Sequence, residues 1–308
     1  MRRAVSLALA GYILVTACSS PKHDPGPAGA GPGDKQASYS KILVIPEENK
    51  SFEQVIGNPA APYLNKLAET YGLATAYDAG YPGRCPSLPG YLLMTSGSDH
   101  GVCDDRGPAA HHIAGDNVFA QAASSGKQWR VFAESMSGTC AADNDEGSGY
   151  LVRHAPAPYY STERQRCPAW DVPLGKAGSG TLTDMLDSGS LPGYTMVTPN
   201  VCHDMHGGRS CHGDAVSEAD AWLEQWMPRI LAGEDYRAGD LVVVVAWDEG
   251  SEADNNVPLL VISPTTVGRR SDTNFSHCSL LRTSEEILGV PPLGCARQAA
   301  SLVEDFHL

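Results

Sequence analysis

Positive charge is scarce in this chain: Lys and Arg number 22 against 36 Asp and Glu, a net charge of -14. A nucleic acid or other polyanion would be repelled overall, which excludes it as a general partner. An anionic substrate stays possible only where a metal ion or a helix N-terminus supplies local positive charge. A membrane-spanning run is also missing, because the apolar stretch Ala4 to Ala17 falls short of the about 20 residues a spanning helix needs. No CxxC pair is present, which removes the usual zinc knuckle. Neither an internal repeat nor a mid-chain linker interrupts the 308 residues, so one compact domain is expected.

What is present at the N-terminus reads as an address. Arg2 and Arg3 precede the apolar run, as in an export signal, and its end, "LVTACSS", resembles the lipobox of bacterial lipoproteins, with Cys18 as the residue that would carry lipid. The following "PKHDPGPAGAGPGDKQAS" has too little apolar surface to order itself and reads as a flexible tether over residues 19–38, leaving 39–308 as the folded domain. Apart from Cys18 there are eight cysteines, the number and setting of a disulfide framework in an oxidising compartment. Proximity in sequence pairs Cys85 with Cys103, Cys140 with Cys167, Cys202 with Cys211 and Cys278 with Cys295, one of about 105 connectivities.

Strand-like runs recur at 41–46, 129–134, 193–199, 240–248 and 257–264, and the unalternated Leu241 to Val245 fits a strand covered on both faces. Helical spacing appears between them at 63–71, 87–97, 115–125, 181–187, 215–231 and 279–288, with Pro228 a kink or restart point. Strands alternating with helices predict an α/β fold, a three-layer α/β/α sandwich on a mainly parallel sheet, with its chemistry at the carboxyl ends of the strands. Residues 141–176, rich in Gly, Pro and charge, read as a long functional loop.

Chemistry-bearing residues collect at those ends. Glu47, Glu48 and Asn49 follow the first strand; Asn200, His203, Asp204 and His206 follow the third; Asp248 and Glu249 close the most apolar one. Ser87 stands between Pro86 and Pro89 at a helix start, and His277 at another. Any one cluster is explained by capping or a solvated loop, but their recurrence at equivalent positions is not. Oxygen-rich ligands with imidazoles suit a divalent cation such as Ca²⁺, Zn²⁺, Mg²⁺ or Mn²⁺, and a serine hydroxyl beside it becomes a nucleophile near neutral pH. Asp99, His100, His111 and His112 read as surface loop, and Glu47 as solvent-facing or as backing for the ligands.

The ordered motifs "EENKSF", "PSLPGYLLMTSG", "TPNVCHDMH", "WDEG" and "SHCSLLRTSEEILGVPPLG" resemble the bacterial phosphoesterase family of secreted acid phosphatases and phospholipases C, within the alkaline phosphatase superfamily. The resemblance runs from about Ile42 to Leu293 and implies the same sandwich and metal-assisted hydrolysis of phosphoric esters. It makes Glu48 and Asn49 metal or phosphate ligands, Ser87 the nucleophile, and Asp248 and Glu249 the second pair on the metal. Asp204 and His206 complete the site, Asn200 binds phosphate, and His277 protonates the leaving alcohol.

Two positions depart from the family pattern. Gly90 stands where relatives carry Asn, a donor whose loss costs about 10²-fold in rate if nothing replaces it. "DMHGG" replaces "DMHD", which removes a carboxylate. The leading expectation is a lipid-tethered extracytoplasmic phosphomonoesterase acting on a phosphorylated small molecule or lipid headgroup. A phosphodiesterase or phospholipase C is the nearest alternative, and a non-catalytic lipoprotein that binds a phosphorylated ligand is the alternative of another class.

Overall fold

Ten strands and the helices between them are laid out in a computed structural model that describes Met1 and residues 39–79, 85–251 and 255–308. Cys18 and the segments expected to be an export signal and a tether lie outside the described residues. The strands are β1 (Lys41–Glu47), β2 (Gly72–Ala74), β3 (Tyr77–Asp78), β4 (Trp129–Ala133), β5 (Asp171–Pro173), β6 (Tyr194–Thr198), β7 (Leu241–Trp247), β8 (Leu259–Ile262), β9 (Arg270–Ser271) and β10 (Phe275–Ser276).

Eight of them form one sheet in the order β5-β4-β6-β1-β7-β8-β2-β9, and β3 with β10 forms a small parallel pair. From β5 to β7 every pairing is parallel; β8 alone runs against both its neighbours. At the centre, β1 and β7 pair over their whole length, Lys41 beside Leu241 through Glu47 beside Trp247. All seven residues of β7 are buried, as its unbroken apolar run requires, and each buried Val contributes about 1.5–3 kcal/mol.

Two groups of helices cover the sheet. In one, Pro62–Thr70 packs on Ala215–Leu231, whose Val216, Ala219, Trp222, Leu223, Trp226 and Ile230 are buried at helical spacing. Buried Asp220 on the longer helix accepts the Tyr63 and Leu64 N–H groups at 3.1 and 2.7 Å, satisfying the first turn of the shorter one. The longer helix runs unbroken through Pro228, so the expected restart does not occur. In the other group, Leu88–Ser96 and Val118–Ser124 pack against His277–Leu288. Among the described residues, no helix is long and apolar enough to cross a membrane.

All four expected disulfides are present. Three of them pin segments that matter below: Cys85–Cys103 holds the approach to Ser87, Cys202–Cys211 closes the loop carrying Asp204 and His206, and Cys278–Cys295 anchors the helix that starts at His277. Each bridge stabilises by about 2–4 kcal/mol, mainly by restricting the unfolded chain.

Candidate active site

The register of the central strands creates the site. Because Glu47 lies beside Trp247, the next residues of each strand, Glu48 with Asn49 and Asp248 with Glu249, emerge side by side from one edge of the sheet. Asn49 turns out of the strand with φ 41°, and its amide Nδ2 donates to Glu249 Oε1 at 2.9 Å. From β6 on the other flank of β1, the chain returns through Met205, also left-handed at φ 73°, and the Glu48 N–H donates to the Asp204 carbonyl at 2.7 Å. Asn49 and Met205, two non-glycine residues in this region of backbone space, both lie beside the same carboxylates, so the backbone is strained where these side chains gather.

Ser87 stands at the N-cap of Leu88–Ser96 but makes no side-chain capping bond. Its Oγ donates to Glu48 Oε2 at 2.8 Å, and it is almost wholly buried. The first turn is satisfied instead by Asp105, whose Oδ1 accepts the Leu88 N–H at 3.0 Å. The other Glu48 oxygen, Oε1, accepts the Tyr91 hydroxyl at 2.7 Å and lies 3.0 Å from His154 Nε2. His154 stacks flat on Tyr91, with centroids 5.3 Å apart, and its Nδ1 lies 3.1 Å from Asp204 Oδ2.

This grouping sets the protonation states. Burial alone would raise the Glu48 carboxyl, but the charge and hydrogen bond of His154, the charge of His206 and the Tyr91 hydroxyl together outweigh burial and hold it well below its ordinary value. His154 shifts the opposite way: burial would lower it, and Glu48 and Asp204 on either side raise it. Asp248 is pushed up by burial and then by the charges of Glu48 and Glu249. Burial and Glu48 likewise push Glu249 up to about 7. So many acids crowded around one imidazole call for added positive charge.

The donor set fits a divalent cation. Asn49 Oδ1 and Asp248 Oδ2 are buried oxygens without a hydrogen-bond partner among the described residues, Asp204 Oδ2 has the His154 contact at 3.1 Å, and Glu48, His154 and Asp204 bring ligand atoms within 4.8 Å of one another. Carboxylate and carboxamide oxygens with one imidazole are ligands for a hard or borderline ion. The other close grouping, Cys140, Cys167 and Asp171, has its sulfurs spent in a disulfide.

Of the residues expected from the sequence, Glu48, Asn49, Ser87, Asp204, Asp248 and Glu249 meet in this site. His206 is exposed at its rim, its ring centroid 6.3 Å from that of His154. Asn200 does not reach it: the side chain is spent on Ser135 Oγ, at 3.0 Å, and on the Cys202 N–H, at 2.9 Å. His203 pairs with Glu134 at 2.9 Å. Glu47, expected either toward solvent or as backing for the ligands, is fully buried, which rules out the first; neither oxygen is hydrogen-bonded among the described residues, and burial followed by the Asp204 charge raises its carboxyl well above the ordinary value.

His277 is placed differently from expectation. It is fully buried; its Nε2 donates to the Asp248 carbonyl at 2.6 Å, and its Nδ1 lies 2.8 Å from the Tyr77 hydroxyl. Burial lowers it to about 4, so the ring is neutral near pH 7, with Nδ1 accepting from Tyr77. A proton donor to a leaving alcohol needs a free nitrogen, and this ring has none. Gly90 meets the same carbonyl, since a Cβ at this position would lie 3.0 Å from Asp248 O. His154, Tyr91 and Tyr77 were not singled out from the sequence. His154 lay in plain view as a histidine inside the long 141–176 loop.

Comparison with known proteins agrees with this geometry. The phosphoesterase family profile matches residues 58–291. Over 273 residues the chain is 25% identical to a phosphatidylinositol-3-phosphatase of Mycobacterium tuberculosis, covering 87% of this chain and 83% of the relative. Over 281 residues it is 23% identical to a probable acid phosphatase of Kluyveromyces lactis, covering 87% of this chain and 62% of that one. Among solved structures, a protein in the alkaline phosphatase superfamily from Vibrio parahaemolyticus superposes with a TM-score of 0.56 at 12% identity, over 88% of this chain and 72% of that one, which shows a shared fold. The chain belongs to the phosphoesterase family and is a hydrolase of phosphoric ester bonds.

Proposed function

We propose that this protein is a metal-dependent phosphomonoesterase with Ser87 as its nucleophile. The observation that carries the proposal is the Ser87 hydroxyl, turned away from capping its helix and toward Glu48 at 2.8 Å. Placement at a helix N-terminus aims backbone N–H groups at a bound phosphoryl group. Glu48, Asn49, Asp204, Asp248 and Glu249 would hold the cation, with His154 bridging Glu48 and Asp204. When bound, a divalent ion supplies positive charge for the phosphoryl oxygens and favours ionisation of the serine.

The chain's own residues then divide the work. Ser87 Oγ passes its proton to Glu48 Oε2, its hydrogen-bond acceptor, and attacks phosphorus in line; the P–O bond to the alcohol breaks, and a phosphoserine forms that water later cleaves, returning the proton to Ser87 Oγ and releasing phosphate. His206, the imidazole at the rim, donates the proton that the departing alcohol takes up. His277 is a positioning residue: its N–H fixes the Asp248 carbonyl at the end of β7. The preference for monoesters is supported by the names of the two relatives, both phosphatases. The four disulfides fit work outside the cytoplasm, and a lipid on Cys18 would hold the protein at the membrane.

Turnover of an aryl phosphate by the metal-loaded protein tests the reading. Ser87→Ala should lower kcat by about 10³-fold or more and abolish a trapped phosphoserine. Full activity in that variant sinks the mechanism.

A further inference from the structure

Beside the site lies a cavity of about 220 Å³ that the chemistry above leaves unused. It is smaller than the about 300–1,000 Å³ of drug-sized ligand sites, and suits a compact polar group rather than a lipid tail. Its walls include Leu151, Arg153, Val201, His206, Arg209 and, at the edge, exposed Glu146. His206 belongs to both compartments, lining the cavity while its ring stands 6.3 Å from that of His154. Arg153 and His154 are consecutive residues of one short 3-10 turn, Val152–His154, so the cation of the cavity and the imidazole of the site are fixed by the same backbone.

The two arginines differ in how they are held. Arg153 is mostly buried, pairs with Asp105 Oδ2 at 3.1 Å through Nε, and its charge also acts on Glu249. Asp105 is the residue whose other oxygen holds the Leu88 N–H next to Ser87. Arg209 is exposed, and no hydrogen bond or ion pair of its side chain is found among the described residues. In a chain of net charge -14, two arginines line one hollow beside the site, Arg153 already paired with Asp105 and Arg209 left to meet an anion, against the single lining carboxylate of Glu146. Guanidinium groups bind phosphate and carboxylate in a bidentate manner, and a carboxylate at the rim accepts hydroxyl groups.

We propose that this cavity is a leaving-group subsite for polyol phosphates bearing a second anionic group. Arg209 and Arg153 take that group, Glu146 takes a hydroxyl, and Leu151 and Val201 pack the ring. The proposal rests on the hydrolase reading for its placement: the scissile phosphate sits at Ser87 and the rest of the substrate passes His206 into the cavity.

The test compares two sugar phosphates that differ only by a phosphate, fructose 1,6-bisphosphate and fructose 6-phosphate, on the metal-loaded protein. Wild type should prefer the bisphosphate in kcat/KM. Arg209→Ala should lower that preference by about tenfold, mainly through KM, and Arg209→Glu further. Arg237→Ala, at an exposed arginine paired with Glu234 on a remote helix, should leave the preference as it is. An equal loss on both sugars, or no loss on either, overturns the subsite.

If the wild type hydrolyses no phosphoric ester, the hydrolase reading has failed. The subsite is then judged by calorimetric titration with fructose 1,6-bisphosphate, where Arg209→Ala should weaken binding by about tenfold and an unchanged affinity overturns it. A last pair of arms separates the sources of such a ligand: glycerophosphoinositol phosphate in solution, and phosphatidylinositol phosphate in phosphatidylcholine vesicles. Sensitivity to Arg209→Ala in either arm supports the subsite and names the source; insensitivity in both overturns it.

Discussion

The Ser87 hydroxyl and the Glu48 carboxylate meet at 2.8 Å, although a serine at a helix N-cap ordinarily spends its oxygen on the backbone N–H two or three residues on. Two residues on, Pro89 has no N–H, and three on, the Gly90 N–H donates to the Ser87 carbonyl at 2.9 Å, while Asp105 takes the Leu88 N–H, so the Ser87 hydroxyl is left to face the strand end.

Glu48 also carries His154, and this gives the first prediction. Glu48→Gln removes the charge that most strongly raises the imidazole, so His154 should titrate nearer its ordinary value. A histidine NMR titration of the two proteins reads this directly, with kcat on an aryl phosphate falling by about 10²-fold or more in the same variant. An unmoved His154 resonance would show that Asp204 alone sustains the charge.

Gly90 packs its missing side chain against Asp248. In a helix interior, alanine is usually better than glycine by about 0.5–1 kcal/mol. Here an added Cβ would sit 3.0 Å from Asp248 O, and that carbonyl cannot retreat freely because His277 Nε2 holds it at 2.6 Å. The crowding should win: Gly90→Ala lowers the midpoint of chemical denaturation by about 1–3 kcal/mol equivalents. Gly90→Asn should do no better, despite the donor it brings. A stabilised Gly90→Ala would mean the strand end yields.

His277 predicts a pH dependence whose sign is fixed by burial. In the fold the ring binds its proton only at about 4, against an ordinary value of 6.5, so the unfolded chain protonates first on acidification. Its contribution to stability is complete above the ordinary value and is lost as the pH falls toward about 4. His277→Gln keeps an N–H for the Asp248 carbonyl and removes the titration. Between about pH 7 and about pH 5 the variant should therefore lose less stability than the wild type, measured by urea denaturation at both values.

The sequence carried the large pattern and missed what depends on distant contacts. The five longer strands, the parallel centre and the six expected residues that the fold brings together were legible because periodicity and strand ends are local properties. Short β2, β9 and β10 have two or three residues each, too few to show a period. His277 illustrates the other limit. Its position before a helix was visible, but only the fold shows Tyr77 and Asp248 closing on its two nitrogens. Asn200 was misread for the same reason, because its partners, Ser135 and Cys202, come from a neighbouring loop and its own turn. His154 reaches the site from a segment without periodicity, where position in sequence says nothing about position in space.

Metal removal should be felt in stability as well as in rate. Glu48, Asp204 and Asp248 are buried together, Asp248 is raised by burial and then by its acidic neighbours, and Asp248 Oδ2, like Asn49 Oδ1 beside it, has no hydrogen-bond partner among the described residues. Each added charge in that space costs more without a cation than with one. A ligand that binds only the folded state stabilises it by RT ln(1 + [L]/Kd), about 2.7 kcal/mol at a hundredfold excess over Kd. Chelation should therefore lower Tm, and re-addition of the right ion among Ca²⁺, Zn²⁺, Mg²⁺ and Mn²⁺ should restore Tm and turnover together. Replacing Asp248 with Asn removes one of the repelling acids. That variant should be the more stable protein in chelator, and it should gain less from the metal. If chelated wild type and Asp248→Asn melt alike, and both ignore added ions, the acids at the strand ends are not a cation site.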